Sequence, residues 1–188
     1  MNDSGADAWL FITYQAEFAK MVTELFSRGY EPPLYGADSV SGDSVLENTL
    51  EGSMQGMTIV IPSVAVDQEN YQTFAERFES EYGEAPIVWS AYTYDCVVTA
   101  ALSIQAADEF IPAALGEVVR DVTRPEGETV TSYQAAADIL ADGCGPSDID
   151  YQGVSGPIEF DENGDPDGFS QVLTVDDHNY QPAGFLES

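Results

Sequence analysis

The sequence predicts an α/β fold built on a parallel sheet, and the stretch from Trp9 to Asp38 carries most of that prediction. Residues 9–13, WLFIT, form a short apolar run of aromatic and β-branched residues, which is typical of a buried parallel strand. A helical stripe with spacing i, i+3, i+4, i+7 and i+8 follows it: Phe18, Met21, Val22, Leu25 and Phe26. Residues 34–36 are then predicted as a second strand, because Pro32-Pro33 forces an extended approach. Strand, helix and strand in this order indicate a parallel pair.

The same patterns predict the later elements. Residues 57–62 form a third apolar strand. Helices are expected from Asp67 to Tyr82, from 88 to 110, from 115 to 122 and from 132 to 140. A C-terminal β-hairpin is expected from two alternating runs, residues 154–160 and 169–175, with Asn163-Gly164 in the turn between them. The tail from Asp176 onward is expected to be peripheral.

Two of these helices carry expectations about packing. The helix that begins near Asp67 has a predicted core stripe, which consists of Tyr71, Phe74, Ala75, Phe78 and Tyr82. The segment 88–110 is apolar on most of its faces and rich in alanine. A helix that is apolar all round is normally buried, so this one is expected inside a layer rather than on its rim.

The charge balance is strongly acidic, with 34 Asp and Glu against 5 Lys and Arg. Hydrophobic content of 44% excludes a disordered acidic tail. Nucleic acid is excluded as a partner, because binding phosphates requires the opposite sign of charge. The acids are spread along the whole chain, which favours adaptation to high salt over a single acidic docking site. At about 1 M salt the Debye length is about 3 Å, so repulsion among these charges is screened.

No metal site or cofactor site is predicted. The acidic turn 161–168 resembles a calcium loop, but both possible EF-hand registers lack the glutamate required at the twelfth position. The single histidine, His178, has no partner of zinc-ligand type nearby in sequence, and a surface position is expected for it. Cys96 and Cys144 are expected to be two separate thiols rather than a disulfide.

Membrane insertion is not predicted from these residues. No stretch approaches the roughly 20 apolar residues that a membrane-spanning helix requires. The opening residues, MNDSGADA, lack the positive and apolar regions of a signal peptide, so none is expected in this sequence.

The candidate site lies where the first two strands end. Tyr14 and Gln15 follow the first strand, and Asp38 and Ser39 follow the second. In open α/β sheets, ligands bind at the carboxyl ends of parallel strands. A carboxylate and a phenol placed there suit a small ligand with an ammonium group, which the carboxylate binds by a charge-assisted hydrogen bond. The alternative is that Asp38 is an ordinary helix cap or loop residue.

A second candidate is the YTYD patch, Tyr92 to Asp95, near the start of the long helix. It either lines a cleft or packs internally around a hydrogen-bonded Asp95, and packing is the favoured interpretation.

The order of several motifs carries a family resemblance. FITYQAEFAKMVTEL, PLYGAD, IVIPS, FAERFESEYGEAP, AYTYD and GVSGPIEFDENGD occur in this order along nearly the whole chain. In this respect the chain resembles the second half of a solute-binding protein of an ABC importer, of the leucine/isoleucine/valine-binding class with the type I periplasmic-binding fold. The resemblance implies two Rossmann-like lobes that close over an amino acid by a hinge motion, without catalysis or a cofactor.

The resemblance also implies a domain arrangement. It places residues 1–61 in the second lobe and 62–154 in the completion of an incomplete first lobe, and residues 155–188 return to the second lobe. The family's tyrosine after the first strand corresponds to Tyr14, and the acidic residue that binds the ligand's ammonium corresponds to Asp38. Family members often carry glutamate at that position, so the shorter aspartate leaves the ligand open.

The resemblance further implies what lies outside these 188 residues. The groups that hold the ligand's carboxylate in this family have no counterpart here, so the chain is expected to be a fragment. The implied partners are an amino acid or related solute and a membrane permease, and the implied location of the full-length protein is the outer face of the cell membrane. The alternative function is a ligand-sensing or regulatory domain of the same fold; an enzyme is the third hypothesis.

Overall fold

The predicted strand–helix–strand unit is present at the start of the chain. Strand β1 (Trp9–Phe11), helix α1 (Gln15–Ser27) and strand β2 (Leu34–Ala37) follow one another, and β1 pairs in parallel with β2. The structure is a computed structural model, and it describes residues 5–161, 163–166 and 168–187. Helix α1 ends where Gly29 adopts a positive φ of 74°, as the sequence predicts.

The remaining elements include three successive helices and, later in the chain, three successive strands. In chain order they are a short 3₁₀ helix (Asp38–Val40), α2 (Asp43–Glu47), β3 (Thr58–Ser63), α3 (Glu69–Tyr82), α4 (Val88–Ala106), α5 (Pro112–Asp121), β4 (Glu128–Val130), α6 (Tyr133–Ala141), a second 3₁₀ helix (Pro146–Asp148), β5 (Ile149–Tyr151), β6 (Phe169–Asp176) and β7 (Asn179–Glu187). The described helices include none that is long and apolar enough to cross a lipid bilayer.

The chain divides into two compact units. Among the described residues, unit 1 comprises those from 5 to 62 and from 170 to 186, and unit 2 comprises those from 63 to 169 together with Glu187. Whether these units correspond to the two lobes of a larger protein stays a prediction.

Unit 1 is built on a five-stranded sheet with the order β1-β2-β3-β6-β7. Strands β2 and β3 are parallel, as are β1 and β2. Its core lies on one face of the sheet, where α1 and α2 pack through these fully buried side chains: Phe18, Val22, Val40, Val45, Met54, Met57 and Ile59. Gly36 lets the strands and the 3₁₀ helix approach closely, because a Cβ at that position would overlap Val40 and Met57.

Unit 2 contains a two-stranded parallel sheet, β4 with β5, which packs with α4, α5 and α6. The sequence pattern predicts neither strand. Only Val130 of the three β4 residues is buried. β5 contains Asp150, which is buried and accepts hydrogen bonds from Thr129 and Gln152 at 3.2 and 2.6 Å.

The predicted hairpin is wrong in its first arm. Residues 154–160 form no strand beyond an isolated bridge between Phe160 and Pro166. The hairpin instead joins β6 to β7 through Asp177-His178, both of which have positive φ (48° and 58°). Two positive φ values in a two-residue loop suit the right-handed twist of paired strands. The tail that was expected to be peripheral therefore supplies strand β7 at the edge of the sheet.

The packing expectations for two helices also require correction. None of the fourteen residues of α3 is buried, although the aromatic residues of the predicted stripe lie together as a row of tilted ring contacts. Helix α4 buries Ala91, Val98 and Leu102 on one side, but Trp89 and Val97 on another side are 50% and 63% exposed. The sequence pattern therefore predicts more buried apolar surface on α3 and α4 than the structure shows.

Candidate functional site

The structure places the four predicted site residues at the carboxyl ends of neighbouring parallel strands. Tyr14 is the N-cap residue of α1 just after β1, and Asp38 opens the 3₁₀ helix directly after β2. The Tyr14 ring is 80% exposed, and the Asp38 side chain is also exposed. Ser39 is half-buried within the same 3₁₀ helix. The phenol and the carboxylate are therefore available to a ligand on this edge of the sheet.

Gln15 behaves differently from the other three, because both ends of its amide are already hydrogen-bonded. Its Nε2 donates to the backbone carbonyl of Ser41 at 2.8 Å, and its Oε1 accepts from the Ser44 hydroxyl at 2.6 Å. These bonds tie the N-terminus of α1 to the turn that begins at Asp38. Gln15 also lines a shallow pocket of about 390 Å³ on the α1–α2 surface, which does not include the other three residues.

The turn that carries Asp38 is fixed by its own hydrogen bonds as well. The carbonyl of Asp38 accepts from the Ser41 amide at 3.0 Å and from the Ser41 hydroxyl at 2.6 Å. Gly42 follows with φ 108°, a conformation that favours glycine. The Tyr180 hydroxyl from β7 donates to the Gly42 carbonyl at 3.3 Å. The Asp38 backbone is therefore held by α1, α2 and β7 together.

His178 contributes to the same unit, although the sequence suggested a surface residue. It is half-buried in the hairpin turn, with Nε2 2.9 Å from the carbonyl of Leu46 in α2. Only a protonated nitrogen donates to a carbonyl, so this contact assigns the proton to Nε2. The role supported by this contact is to hold the β6–β7 turn against α2.

The second candidate, the YTYD patch, is a packed carboxylate in unit 2. Asp95 is 3% exposed. Its oxygens accept from the Tyr151 hydroxyl at 2.9 Å, from the amides of Val154 and Ser155 at 3.0 and 2.7 Å, and from the Ser155 hydroxyl at 2.5 Å. These four donors give both carboxylate oxygens hydrogen-bond partners. Burial and the adjacent Asp95 carboxylate raise the pKa of Tyr151 above its ordinary value.

This arrangement favours the packed interpretation of Asp95 and explains the missing strand after Tyr151. The backbone N–H groups of Val154 and Ser155 donate to a side chain, so they are not available to a β-ladder. Gly153 completes the arrangement, because a Cβ there would overlap the Asp95 carboxylate and Ile158. A sequence pattern shows alternation in residues 154–160, but it does not show which acceptor those amides meet.

The remaining sequence candidates have structural roles. The Asp161 carboxylate accepts from the amides of Asn163 and Asp165 at 2.8 and 2.9 Å, and these hydrogen bonds lower the pKa of Asp161. Glu162 and Asp167 of this turn lie outside the described residues. Cys96 and Cys144 are free, exposed thiols, as the sequence predicts.

Comparison with solved structures identifies the fold. A leucine-binding protein, LivK, from Thermotoga maritima matches 96% of this chain at TM-score 0.67 and 20% identity, with 44% of its own chain covered. LivJ from Streptococcus pneumoniae, a branched-chain amino-acid transporter substrate-binding protein solved with isoleucine, matches 100% at TM-score 0.61 and 17% identity, with 47% covered.

A third structure, a putative branched-chain amino acid ABC transporter from Rhodospirillum rubrum, matches 96% of the chain at TM-score 0.59 and 17% identity, with 45% covered. No family model and no curated protein matches the sequence. The chain spans less than half the length of the solved proteins that it matches. Its mixed α/β fold is therefore similar to one part of the fold of these larger proteins.

Proposed function

We propose that this chain is the C-terminal part of the substrate-binding component of an ABC importer for branched-chain or related amino acids. The observation that carries the proposal is that almost the whole chain matches less than half of each such protein. The motif order in the sequence supports the same assignment. Binding in this class is non-catalytic, and no cofactor is required.

The site residues have complementary roles in this proposal. The Asp38 carboxylate accepts hydrogen bonds from the ligand's ammonium group, and the charge on both partners strengthens that contact. The Tyr14 ring closes over the cation or the adjacent side chain. Ser39 offers a hydroxyl beside the carboxylate. Gln15 is a positioning residue, because its amide already holds the turn that carries Asp38.

The carboxylate end of the ligand is held by groups that lie outside these 188 residues. Hinge closure brings the two sides together and excludes water, which strengthens each polar contact. The full-length protein delivers its ligand to a membrane permease at the outer face of the cell membrane. Nucleic acid is not a partner, because the chain carries a net charge of −29.

Calorimetric titration tests the proposal. The sample is a single polypeptide, expressed from the gene for this chain extended by the coding sequence directly upstream of it. It is titrated in molar salt with leucine, isoleucine, valine and glutamate. A saturable isotherm for at least one of them is expected. If a folded joined chain binds none of the four, the assignment to amino-acid binding is wrong.

A further inference from the structure

One face of the sheet in unit 1 is bare. Leu10 of β1 and Tyr35 of β2 are paired in register and are 65% and 45% exposed, and Val60 of β3 is 39% exposed. Ile12, which continues the line of β1, is 77% exposed. The opposite face carries Phe11 and Ile59, which are buried beneath α1 and α2. Within the described part of unit 1, the helices therefore cover only one side of the parallel strands.

Parallel strands are normally covered on both faces, because the crossover segments that join them are helices. The residues on the bare face are uncharged, in a chain where 34 of 188 residues are acidic. A contiguous apolar face of this kind marks a site of polypeptide contact.

The outer edge of β1 is open as well. β1 is the terminal strand of the sheet, so one side of its backbone has no partner strand within the described residues. A pocket of about 420 Å³ runs along this edge, lined by Ala6, Met21 and residues 9–13. An open strand edge beside an apolar face accommodates an added strand.

Unit 2 shows a similar feature independently. Helix α4 exposes Trp89, Val97 and Ile104 at one helical face, with 49–63% of each residue accessible. An open groove of about 1160 Å³ lies alongside, lined in part by Phe74 and Phe78 of the unburied helix α3. Both units thus present apolar faces of the kind that another layer of secondary structure covers.

We propose that the bare face (Leu10, Ile12, Tyr35 and Val60) and the outer edge of β1 form a docking surface for the remainder of the two-lobed fold. The occupant is a polypeptide that adds a strand beside β1 and lays a helix on the bare face. This inference rests on the proposed function. The solved proteins of this fold have more than half of their length outside the region matched here, which is enough chain to supply both elements.

A second copy of this chain does not fit the surface equally well. Two β1 strands related by a two-fold axis would pair in antiparallel fashion and would lay no helix on either bare face. The two copies would also bring together two charges of −29.

The test combines sedimentation with hydrogen exchange in molar salt. The chain is analysed alone and after co-expression with the polypeptide encoded directly upstream of it. A 1:1 complex is expected, with amide exchange in residues 9–12 slowed at least about 100-fold relative to the chain alone. Leu10→Glu should abolish the complex while leaving the circular dichroism of the chain unchanged, because Leu10 is exposed. Phe185→Glu on β7, at the opposite edge of the same sheet and 60% exposed, is the matched control and should leave the complex intact.

Several results would overturn the proposal. These are an upstream sequence that encodes no such polypeptide, a failure of the two to associate, equal effects of the two variants, and a homodimer that protects residues 9–12. Ligand titration of the complex is a separate readout. Association without amino-acid binding would leave the docking surface standing and remove the proposed function, whereas amino-acid binding without association would remove the docking surface and leave the proposed function standing.

Discussion

Asp38 is the residue on which ligand binding depends in our proposal. Its backbone is fixed by the Ser41 hydrogen bonds and by the amide of Gln15, so its exposed carboxylate is presented from a rigid turn. In the joined, ligand-binding polypeptide, we expect Asp38→Ala to weaken amino-acid binding by about 2–5 kcal/mol, or about one to four decades of affinity. Calorimetry measures the change. Asp43→Ala, on the neighbouring helix α2, is the control, and equal affinities of Asp38→Ala and wild type would remove Asp38 from the site.

Asp95 offers a test of structure rather than binding. Replacing it with asparagine exchanges one acceptor oxygen for a donor amide that faces the N–H groups of Val154 or Ser155. We expect Asp95→Asn to lower the free energy of unfolding by about 2–4 kcal/mol, since buried unsatisfied donors cost about 1–3 kcal/mol each. Ser155→Ala, which removes one hydroxyl donor, should cost less. Denaturant titration measures both, and a neutral Asp95→Asn would show that the four hydrogen bonds contribute little.

For individual residues, the sequence predicted a location correctly where that location follows from the residue's position relative to a strand or helix. The placement of Tyr14 and Asp38 after adjacent strands follows from the apolar runs that precede them. The structural roles of Gln15 and His178 do not, because each depends on a carbonyl that lies far away in sequence, at Ser41 and Leu46. No local pattern identifies such an acceptor.

Among the elements, those with a clear apolar pattern were predictable, including the short strands β1 and β2, and those without such a pattern were not. Helix α1 and strands β1, β2 and β3 follow from their apolar spacing. Strand β4 has a single buried residue, and β5 contains a buried aspartate, so neither resembles a strand in sequence. The hairpin was misplaced because Asn163-Gly164 is a strong local signal, whereas the Asp177-His178 turn is held by the contact between His178 and Leu46.

The β6–β7 hairpin has a testable pH dependence. Burial raises the pKa of Tyr180 to about 12, with the Asp43 carboxylate acting in the same direction. The pKa is higher in the folded state than the ordinary value of 10.0, so this contribution to stability is fully present below pH 10. It is lost as the pH rises toward 12, because only the unfolded state ionises readily there.

Tyr180→Phe should therefore flatten the fall in stability between pH 10 and 12, relative to wild type. Melting temperatures across this range measure the effect. Tyr82→Phe, an exposed tyrosine at the end of α3, is the control. A wild-type slope that persists in Tyr180→Phe would contradict the assignment.

For the whole molecule, the net charge of −29 sets the expected response to salt. The described ion pairs Arg28–Glu24 and Arg124–Asp121 are both local and partly exposed, so they offset little of the repulsion among the acids. We expect the melting temperature to rise with salt up to the molar range, because screening shortens the reach of that repulsion. Circular dichroism across a salt series measures it. A melting temperature that is unchanged down to dilute buffer would contradict adaptation to high salt.

The whole chain also sets a limit on binding. Tyr14 and Asp38 supply one wall of a site, and the ligand's carboxylate would face water in the isolated chain. A single ammonium contact does not offset the cost of immobilising the ligand, which is several kcal/mol. We expect the 188-residue chain alone to show no saturable binding of leucine, isoleucine, valine or glutamate at high salt. A micromolar isotherm would show that the proposed remainder of the fold is dispensable.

The discontinuity of unit 1 has a consequence for biosynthesis. Its sheet begins with β1 but is completed by β6 and β7, whereas nearly all of unit 2 is one continuous segment, residues 63–169. On the ribosome, β1 to β3 emerge before unit 2, and more than a hundred further residues are synthesised before β6 can pair with β3. Unit 2 can meanwhile reach its native topology during translation. The half-made sheet of unit 1 therefore stays exposed in the nascent chain until β6 and β7 are synthesised, although its first three strands precede unit 2.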